Sequence, residues 1–215
     1  MPHLDLWKQG LGAVPAEVWD QADLESLVLA DNGLTEVSDR IGSLKALRML
    51  DLGHNRLAAL PETLGDLEGL TDFLYLHDNR LTSLPASLAR LTRLRYLNIS
   101  ANAFETWPEA VCGMTGLVEL RASDNGLTAL PDTIGRLARL RELNLRNNRL
   151  PGLPDAIGEL KELRQLDLRA NPLSHLPEAL GELPRLEKLD LRWVAGLEAP
   201  AWLGRLEARG CVVYR

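Results

Sequence analysis

The chain has 215 residues, a formal net charge of −6 and a sequence pI of about 5.3. This negative charge argues against a nucleic-acid backbone or an anionic membrane as the main partner. No apolar run approaches the roughly 20 residues that a membrane-spanning helix needs, and the first residues lack the basic and apolar stretches of a secretory signal.

An asparagine recurs along the chain with a nearly constant spacing, which marks a repeat. Successive markers are 23 residues apart, except for one spacing of 24. They are Asn32, Asn55, Asn79, Asn102, Asn125, Asn148 and Asn171. The same step places Gln9 before the first marker and Val194 after the last, which gives about nine units. Because no linker or change in composition interrupts the units, residues 1–215 are predicted to form a single repeat domain.

Each unit predicts the same elements in the same order. A Leu-x-Leu alternation before the marker, as in Leu50 and Leu52, predicts a short strand with one buried face. A proline followed by an acid, as in Pro61 and Glu62, suits the first turn of a short helix. The glycine that follows, such as Gly65, is predicted to allow the reversal that ends this segment. Since no unit can bury its own leucines, the units must stack.

The first and the fourth units depart from this pattern. Residues 1–14 carry Gln9 in place of the asparagine and begin with Met1 in an apolar position, so we expect them to form an N-terminal cap. The fourth unit has one extra residue between Leu70 and Leu74. We predict that this residue forms a local bulge, after which the register of the repeat is restored.

The last stretch, residues 195–215, matches the repeat weakly and is predicted to form a C-terminal cap. Its final residues, 211–215, are apolar and are expected to form a strand that closes the stack. Cys211 on this strand is expected to be exposed, whereas Cys112 is expected to pack within the helical segment of its unit. With only these two cysteines, 99 residues apart, a reducing compartment and hence the cytoplasm is the expected location.

The row of asparagines is interpreted as scaffold and not as a binding site. Where each strand ends and the chain bends inward, backbone groups are left that must find hydrogen-bond partners. An amide side chain offers two donors and an acceptor, so it can bridge neighbouring units. The markers are therefore predicted to form a structural asparagine ladder.

The unit L-x-x-L-x-x-L-x-L-x-x-N-x-L-x-x-L-P-x-x-(L/I)-G-x resembles the 23-residue class of intracellular leucine-rich repeats. That class includes Ras-binding scaffold proteins, plant Ras-group proteins and many bacterial proteins. The resemblance implies an α/β solenoid shaped as a curved horseshoe. A parallel sheet would line its concave face, and short helices or 3-10 turns its convex face. It also implies protein binding as the usual activity, although one fold serves many partners.

The strand positions between the leucines would form columns on the concave face, about 4.8 Å apart. In units three to five these columns hold Met49, Phe73, Tyr75, His77 and Tyr96. Because the chain has only two phenylalanines and three tyrosines, three aromatics on adjacent strands predict a protein-binding surface. Arg121 and Arg146 would form its charged rim. The alternative is that Phe73, next to the extra residue, packs into the core while Tyr75 and Tyr96 cover each other.

A column of three arginines follows in the later units, at Arg146, Arg169 and Arg192. It could receive a phosphate or an acidic segment. Acids stand beside it at Glu142, Asp167 and Asp190. Mutual neutralisation across neighbouring strands is the alternative reading.

Asp31, His54 and Asp78 occupy one position in three consecutive units, a set that we attribute to surface charge and not to a metal site. No phosphate-binding loop, metal-ligand motif or nucleophile elbow is present in the sequence. We therefore expect a monomeric, non-catalytic module that binds another protein on its concave face. We expect no cofactor, no metal, no small-molecule substrate, no nucleic acid and no membrane. The alternative is a bacterial effector or a sensor or scaffold subunit that acts with a separate kinase, GTPase or ubiquitin-pathway protein.

Overall fold

The computed structural model describes residues 2–215, so Met1, expected to start the first unit, lies outside the described residues. Ten short strands form one parallel sheet in which every strand pairs with its neighbours in sequence. The strands are β1 His3–Asp5, β2 Ser26–Val28, β3 Met49–Asp51, β4 Phe73–Tyr75, β5 Tyr96–Asn98, β6 Glu119–Arg121, β7 Glu142–Asn144, β8 Gln165–Asp167, β9 Lys188–Asp190 and β10 Val212–Tyr214. This is the predicted leucine-rich repeat solenoid, with the sheet on its concave face.

A short helical segment follows each of the first nine strands on the convex side of the solenoid, and seven of the nine segments are 3-10 helices. The 3-10 helices are Ala16–Asp20, Asp39–Ser43, Glu62–Asp66, Ala86–Arg90, Glu109–Gly113, Asp132–Arg136 and Asp155–Glu159, and the two α-helices are α1 Glu178–Gly181 and α2 Leu203–Ala208. A proline such as Pro61, with φ of −72°, precedes most of the segments. Its fixed φ prepares the turn, and it removes an amide that the helix would leave unpaired.

The core is a continuous column of leucines between the sheet and the helical segments. The middle residue of each strand from β2 to β9, such as Leu50 or Leu97, is buried, while the flanking strand residues point out of the concave face. Cys112 is also buried and accepts a hydrogen bond of 3.3 Å from the indole Nε1 of Trp107, which confirms that it packs within its unit. The alternation with period two therefore decides which side chains reach a partner.

The glycine near the end of helical segments such as Glu62–Asp66 has a different role from the predicted one. Gly65 and its equivalents Gly135 and Gly158 do not have positive φ, so they do not produce the reversal. Gly65 and Gly158 instead allow neighbouring coils to approach closely: a Cβ at Gly65 would lie 2.5 Å from the Cβ of Ser87 and closer still to its carbonyl group. The prediction of a glycine reversal is therefore wrong, and at Gly65 the missing side chain sets the distance between coils.

The marker asparagines lie where each coil turns inward from the sheet. The amide nitrogen of Asn125 donates to the carbonyls of Ile99 in the preceding coil, at 3.1 Å, and of Ser123 in its own coil, at 3.0 Å. Its Oδ1 accepts from the backbone amide of Phe104 at 3.2 Å. The residue before each marker has a positive φ, which is 55° at Asp124. The asparagine thus links two coils at the point where the backbone departs from the strand.

Replacing Asn125 with alanine is expected to lower the free energy of unfolding by about 1–3 kcal/mol, because the carbonyls and the amide that it serves lose their partners. Gln9→Ala is the matched control, since within residues 2–215 the side-chain amide of Gln9 makes only an exposed 3.2 Å bond to the carbonyl of Trp7. Urea titration of both variants measures the difference. Equal losses would show that the ladder does not stabilise the coils.

The extra residue of the fourth unit is accommodated at Thr71 and Asp72, immediately before β4. In most neighbouring coils one carbonyl accepts two successive amides, as Arg95 does from the coil after it. Here Arg95 and Tyr96 donate to two different carbonyls, those of Thr71 and Asp72, at 3.0 and 3.1 Å. The register is regained at Phe73, which is paired with Met49. The predicted local bulge before Leu74 is present.

The tenth strand corresponds to the strand predicted at residues 211–215, and it pairs in parallel with β9. Nine units of sequence therefore give a sheet of ten strands, with α2 leading into the last one. The expectation that Cys211 is exposed is wrong: the residue is buried, because it turns inward from the end of α2. Within residues 2–215, no helix is both long and apolar enough to cross a membrane.

Candidate functional site

The candidate site is an aromatic cluster on strands β4 and β5, formed by Phe73, Tyr75 and Tyr96. The ring centroids are 5.0 Å apart for the two tyrosines, 5.9 Å for Phe73 and Tyr75, and 5.5 Å for Phe73 and Tyr96. These separations are typical of favourable aromatic pairs. The cluster forms because parallel pairing aligns Phe73 with Tyr96, and Tyr75 is the next outward residue on β4.

The cluster lies on the surface and not in the core. Phe73 is 42% exposed, while the neighbouring Leu74 fills the core position of the coil. The alternative in which Phe73 packs into the core is therefore wrong, although Tyr75 and Tyr96 do contact each other. Burial raises the pKa of Tyr75 and raises that of Tyr96 to about 12. Both phenols are therefore neutral near pH 7, and the cluster is an uncharged apolar surface with hydroxyl groups.

Met49 and His77 border the cluster on its β3 side, as the sequence predicts from their columns. Met49 is half-buried and lies opposite Phe73 in the sheet. The His77 ring is 6.0 Å from Tyr75 and lies over Gly53, where a Cβ would meet it at 2.5 Å. Burial, together with the nearby His54, lowers the pKa of His77. His77 is therefore mostly neutral at pH 7 and extends the uncharged surface.

The two arginines predicted as a rim are separated in the structure. The Arg121 guanidinium is 5.7 Å from the Tyr96 ring and donates a 2.6 Å hydrogen bond to Glu119, so it borders the aromatic cluster. Arg146 instead lies 6.0 Å from the ring of Trp193, toward the other end of the sheet. The structure thus brings Arg121 to the candidate site and places Arg146 in a second group of side chains.

In this second group, the arginines of the column at Arg169 and Arg192 are paired with aspartates. Arg169 binds Asp167 through two nitrogens, and Arg192 binds Asp190 in the same manner, with N–O distances of 2.7–2.9 Å for the Arg192 pair. Asp190 is almost fully buried. Burial opposes its ionisation, but hydrogen bonds from Arg192 outweigh this and keep its pKa below the ordinary value. For these two arginines, mutual neutralisation describes the structure better than a free anion site.

Trp193 is an exposed concave residue that the strand columns do not single out. Its side chain is 67% exposed, and its ring lies 5.7–6.0 Å from the guanidinium groups of Arg146, Arg169 and Arg192. It occupies the positive-φ position before the marker, where the other coils have smaller or polar residues. A tryptophan at a position that otherwise holds lysine, aspartate, histidine, alanine or asparagine is the sequence signal for it.

The three residues considered for a metal are surface groups. His54 and Asp78 are hydrogen-bonded, with 2.5 Å between Nδ1 and Oδ2, and both side chains are more than half exposed. Asp31 pairs instead with Lys8 at 3.5 Å. Among residues 2–215, no three histidine, cysteine, aspartate or glutamate side chains are grouped to hold a metal ion.

Comparison with known families gives one match, to the family described as leucine rich repeat. It matches residues 22–74, 72–127, 115–173 and 138–193. Together these segments run through most of the chain, from before β2 to just beyond β9.

Individual relatives share only part of their length with this chain. Human leucine-rich repeat protein 1 is 45% identical over 69 residues, which are 32% of this chain and 16% of that protein. The chain spans less than a fifth of the length of the first curated relatives that it matches.

Two solved structures are similar over nearly the whole chain. The ectodomain of the Arabidopsis thaliana receptor kinase GASSHO1/SCHENGEN3 is 30% identical, with a TM-score of 0.81 over 95% of this chain and 26% of its own. The leucine-rich repeat domain of the type III effector XopL is 26% identical, with a TM-score of 0.84 over 99% of this chain and 75% of its own.

Proposed function

The chain belongs to the leucine-rich repeat family, and on that premise we propose that it is a non-catalytic module that binds a partner protein on its concave face. The observation that carries this proposal is the surface aromatic cluster, in which Phe73 is exposed and Tyr75 and Tyr96 are half-buried. Contiguous exposed aromatics are unfavourable in water and are enriched where proteins bind each other.

The distribution of aromatic residues supports this choice of surface. The chain has five phenylalanine and tyrosine residues, of which three form the cluster. Phe104 fills the core, and Tyr214 lies on the last strand. The borders also suit a protein interface: Met49 adds an adaptable apolar side chain, and Arg121 offers a cation beside Tyr96.

One solved relative supports protein binding. The Arabidopsis ectodomain, which shares 30% of its aligned residues with this chain, is in complex with a Casparian strip integrity factor.

We also propose that the module is located in the cytoplasm. Cys112 and Cys211 are both free and buried, so their thiols serve as packing groups, which suits a reducing compartment. Location of a fluorescent fusion outside the cytoplasm would contradict this placement.

Hydroxyl-radical footprinting of the complex tests the proposed face, with the partner obtained by affinity purification from the native cell. Oxidation of Phe73, Tyr75 and Tyr96 is expected to fall when the partner is bound, because the contact excludes water from the cluster. Trp193 and Tyr214, exposed on later coils, serve as internal controls and keep their oxidation rates. Protection of residues in the convex helical segments without protection of the cluster would refute the proposal.

A further inference from the structure

A cleft lined by four arginines lies on the side of the solenoid where the strands begin, and it adjoins the aromatic cluster, since Arg95 and Val118 also line a pocket with Phe73 and Tyr96. Arg93 and Arg95 lie on one wall, and Arg139 and Arg141 lie on the other. The coil between them contributes Gly116 and Val118 to the cleft, which has a volume of about 490 Å³. All four arginines are exposed. We call this feature the arginine cleft.

The register of the repeat explains why the cleft carries unbalanced charge. At the position just before each strand, arginines elsewhere face an acid in the next coil: Arg48 pairs with Asp72 at 3.2 Å, and Arg164 pairs with Glu187 at 2.7 Å. Arg95 and Arg141 occupy the same position, but the coil between them presents Val118. Val118 thus stands where Asp72 and Glu187 provide an acid in the other two pairs.

The position two residues earlier shows the same substitution. There Arg185 pairs with Glu162 of the preceding coil, whereas Arg93 and Arg139 flank Gly116. Glu162 also borders the cleft, but its carboxylate is held by Arg185. Among residues 2–215, none of the four cleft arginines forms an ion pair, and Arg93 is bonded only to the carbonyl of Glu68.

Four unpaired cations within about two coil spacings repel one another, and the gap between them is open to a ligand. This concentration of positive charge is in contrast with the net charge of −6 for the whole chain. Planar guanidinium groups bind phosphate oxygens, as they bind carboxylates, in pairs of parallel hydrogen bonds. A phosphomonoester brings a charge of about −1.5 to −2 and three acceptor oxygens, which match several guanidiniums at once.

We propose that the arginine cleft binds a phosphorylated side chain of a partner protein, at the edge of the sheet that borders the aromatic cluster. A nucleic acid fits less well, because its many phosphates would meet the acidic remainder of the chain beyond a single cleft. A phosphorylated partner would then contact the module at two surfaces. The aromatic cluster would provide an apolar contact, and the arginine cleft would provide a contact that depends on the phosphate.

The test measures binding of a short alanine-rich phosphoserine peptide by isothermal titration calorimetry, at low salt, with the unphosphorylated peptide as its control. The phosphopeptide is expected to bind at least about tenfold more tightly than its unphosphorylated twin. The double variant Arg95→Gln/Arg141→Gln is expected to remove this difference. Val118→Glu, which supplies the missing acid in the central coil, is expected to do the same, and circular dichroism checks that both variants are folded.

Two further variants make the result specific. Arg164→Gln removes an arginine of the same column that is already paired with Glu187, so phosphopeptide affinity is expected to remain within about twofold of the parent. Tyr75→Ala, on the concave face, is also expected to leave it unchanged, so failure of the concave proposal would not affect this one. Equal binding of the two peptides, full affinity in the arginine double variant, or tighter binding of a single-stranded oligonucleotide than of the phosphopeptide would overturn the proposal.

Discussion

Replacing Gly65 with alanine is expected to lower the free energy of unfolding by about 3 kcal/mol, the upper part of the range for overpacked interiors. The added Cβ would lie 2.5 Å from the Cβ of Ser87 and closer to its backbone carbonyl. Since both groups belong to the backbone or are attached directly to it, no rotamer change relieves the overlap. The third and fourth coils must move apart, and the leucines between them lose contact.

Gly135→Ala is the matched control, because Gly135 occupies the same position of the repeat three coils after Gly65. There the new Cβ would meet mainly the carboxylate of Glu159, the far end of a flexible side chain that can rotate into water. A loss of less than about 1 kcal/mol is expected. Urea titration with unchanged m-values measures both. Equal losses in the two variants would show that the backbone contact at Gly65 does not control the spacing of the coils.

The contrast between these glycines shows which part of the fold the sequence predicts. Strands and asparagine turns follow from local periodicity, so β3, its buried Leu50 and the turn at Asn55 could be predicted by counting residues. The role of Gly65 depends on the distance between two coils, and the spacing of residues within one unit does not reveal that distance. Burial of Cys211 was missed for a related reason, since it depends on how α2 directs the chain into β10.

In the candidate site, too, some features follow from the sequence and others depend on contacts between coils. Phe73, Tyr75 and Tyr96 were predicted to share a surface because strand register fixes the direction of each side chain, and the ring distances of 5.0–5.9 Å show that they meet. Ion pairing was not predictable, because long arginine side chains can reach several neighbours. The sequence left Arg169 and Arg192 undecided, and the structure shows both bound to aspartates. It also shows that the unpaired arginines lie outside this column, at the edge where the strands begin.

Tyr75→Ala is expected to weaken binding of the native partner by about 2 kcal/mol or more, which is about 30-fold in dissociation constant. Tyr75 is central among its neighbours, since it contacts Phe73, Tyr96 and His77. Truncation therefore opens a gap in the middle of the apolar surface, where interface residues have their largest effect. The melting temperature is expected to change little, because the leucine core beneath the strand is untouched.

Trp193→Ala is the control that tests position and not merely aromatic character. Both side chains are aromatic and face the concave side, but Trp193 lies beside β9, five strands from β4, and interacts with arginines instead of other aromatics. Surface plasmon resonance on the two variants is expected to show a faster dissociation for Tyr75→Ala and parent-like binding for Trp193→Ala. The reverse order would place the docking centre at Trp193. Loss of binding in Arg136→Glu, on the convex side, with normal binding in Tyr75→Ala would mean that the partner does not use the concave face.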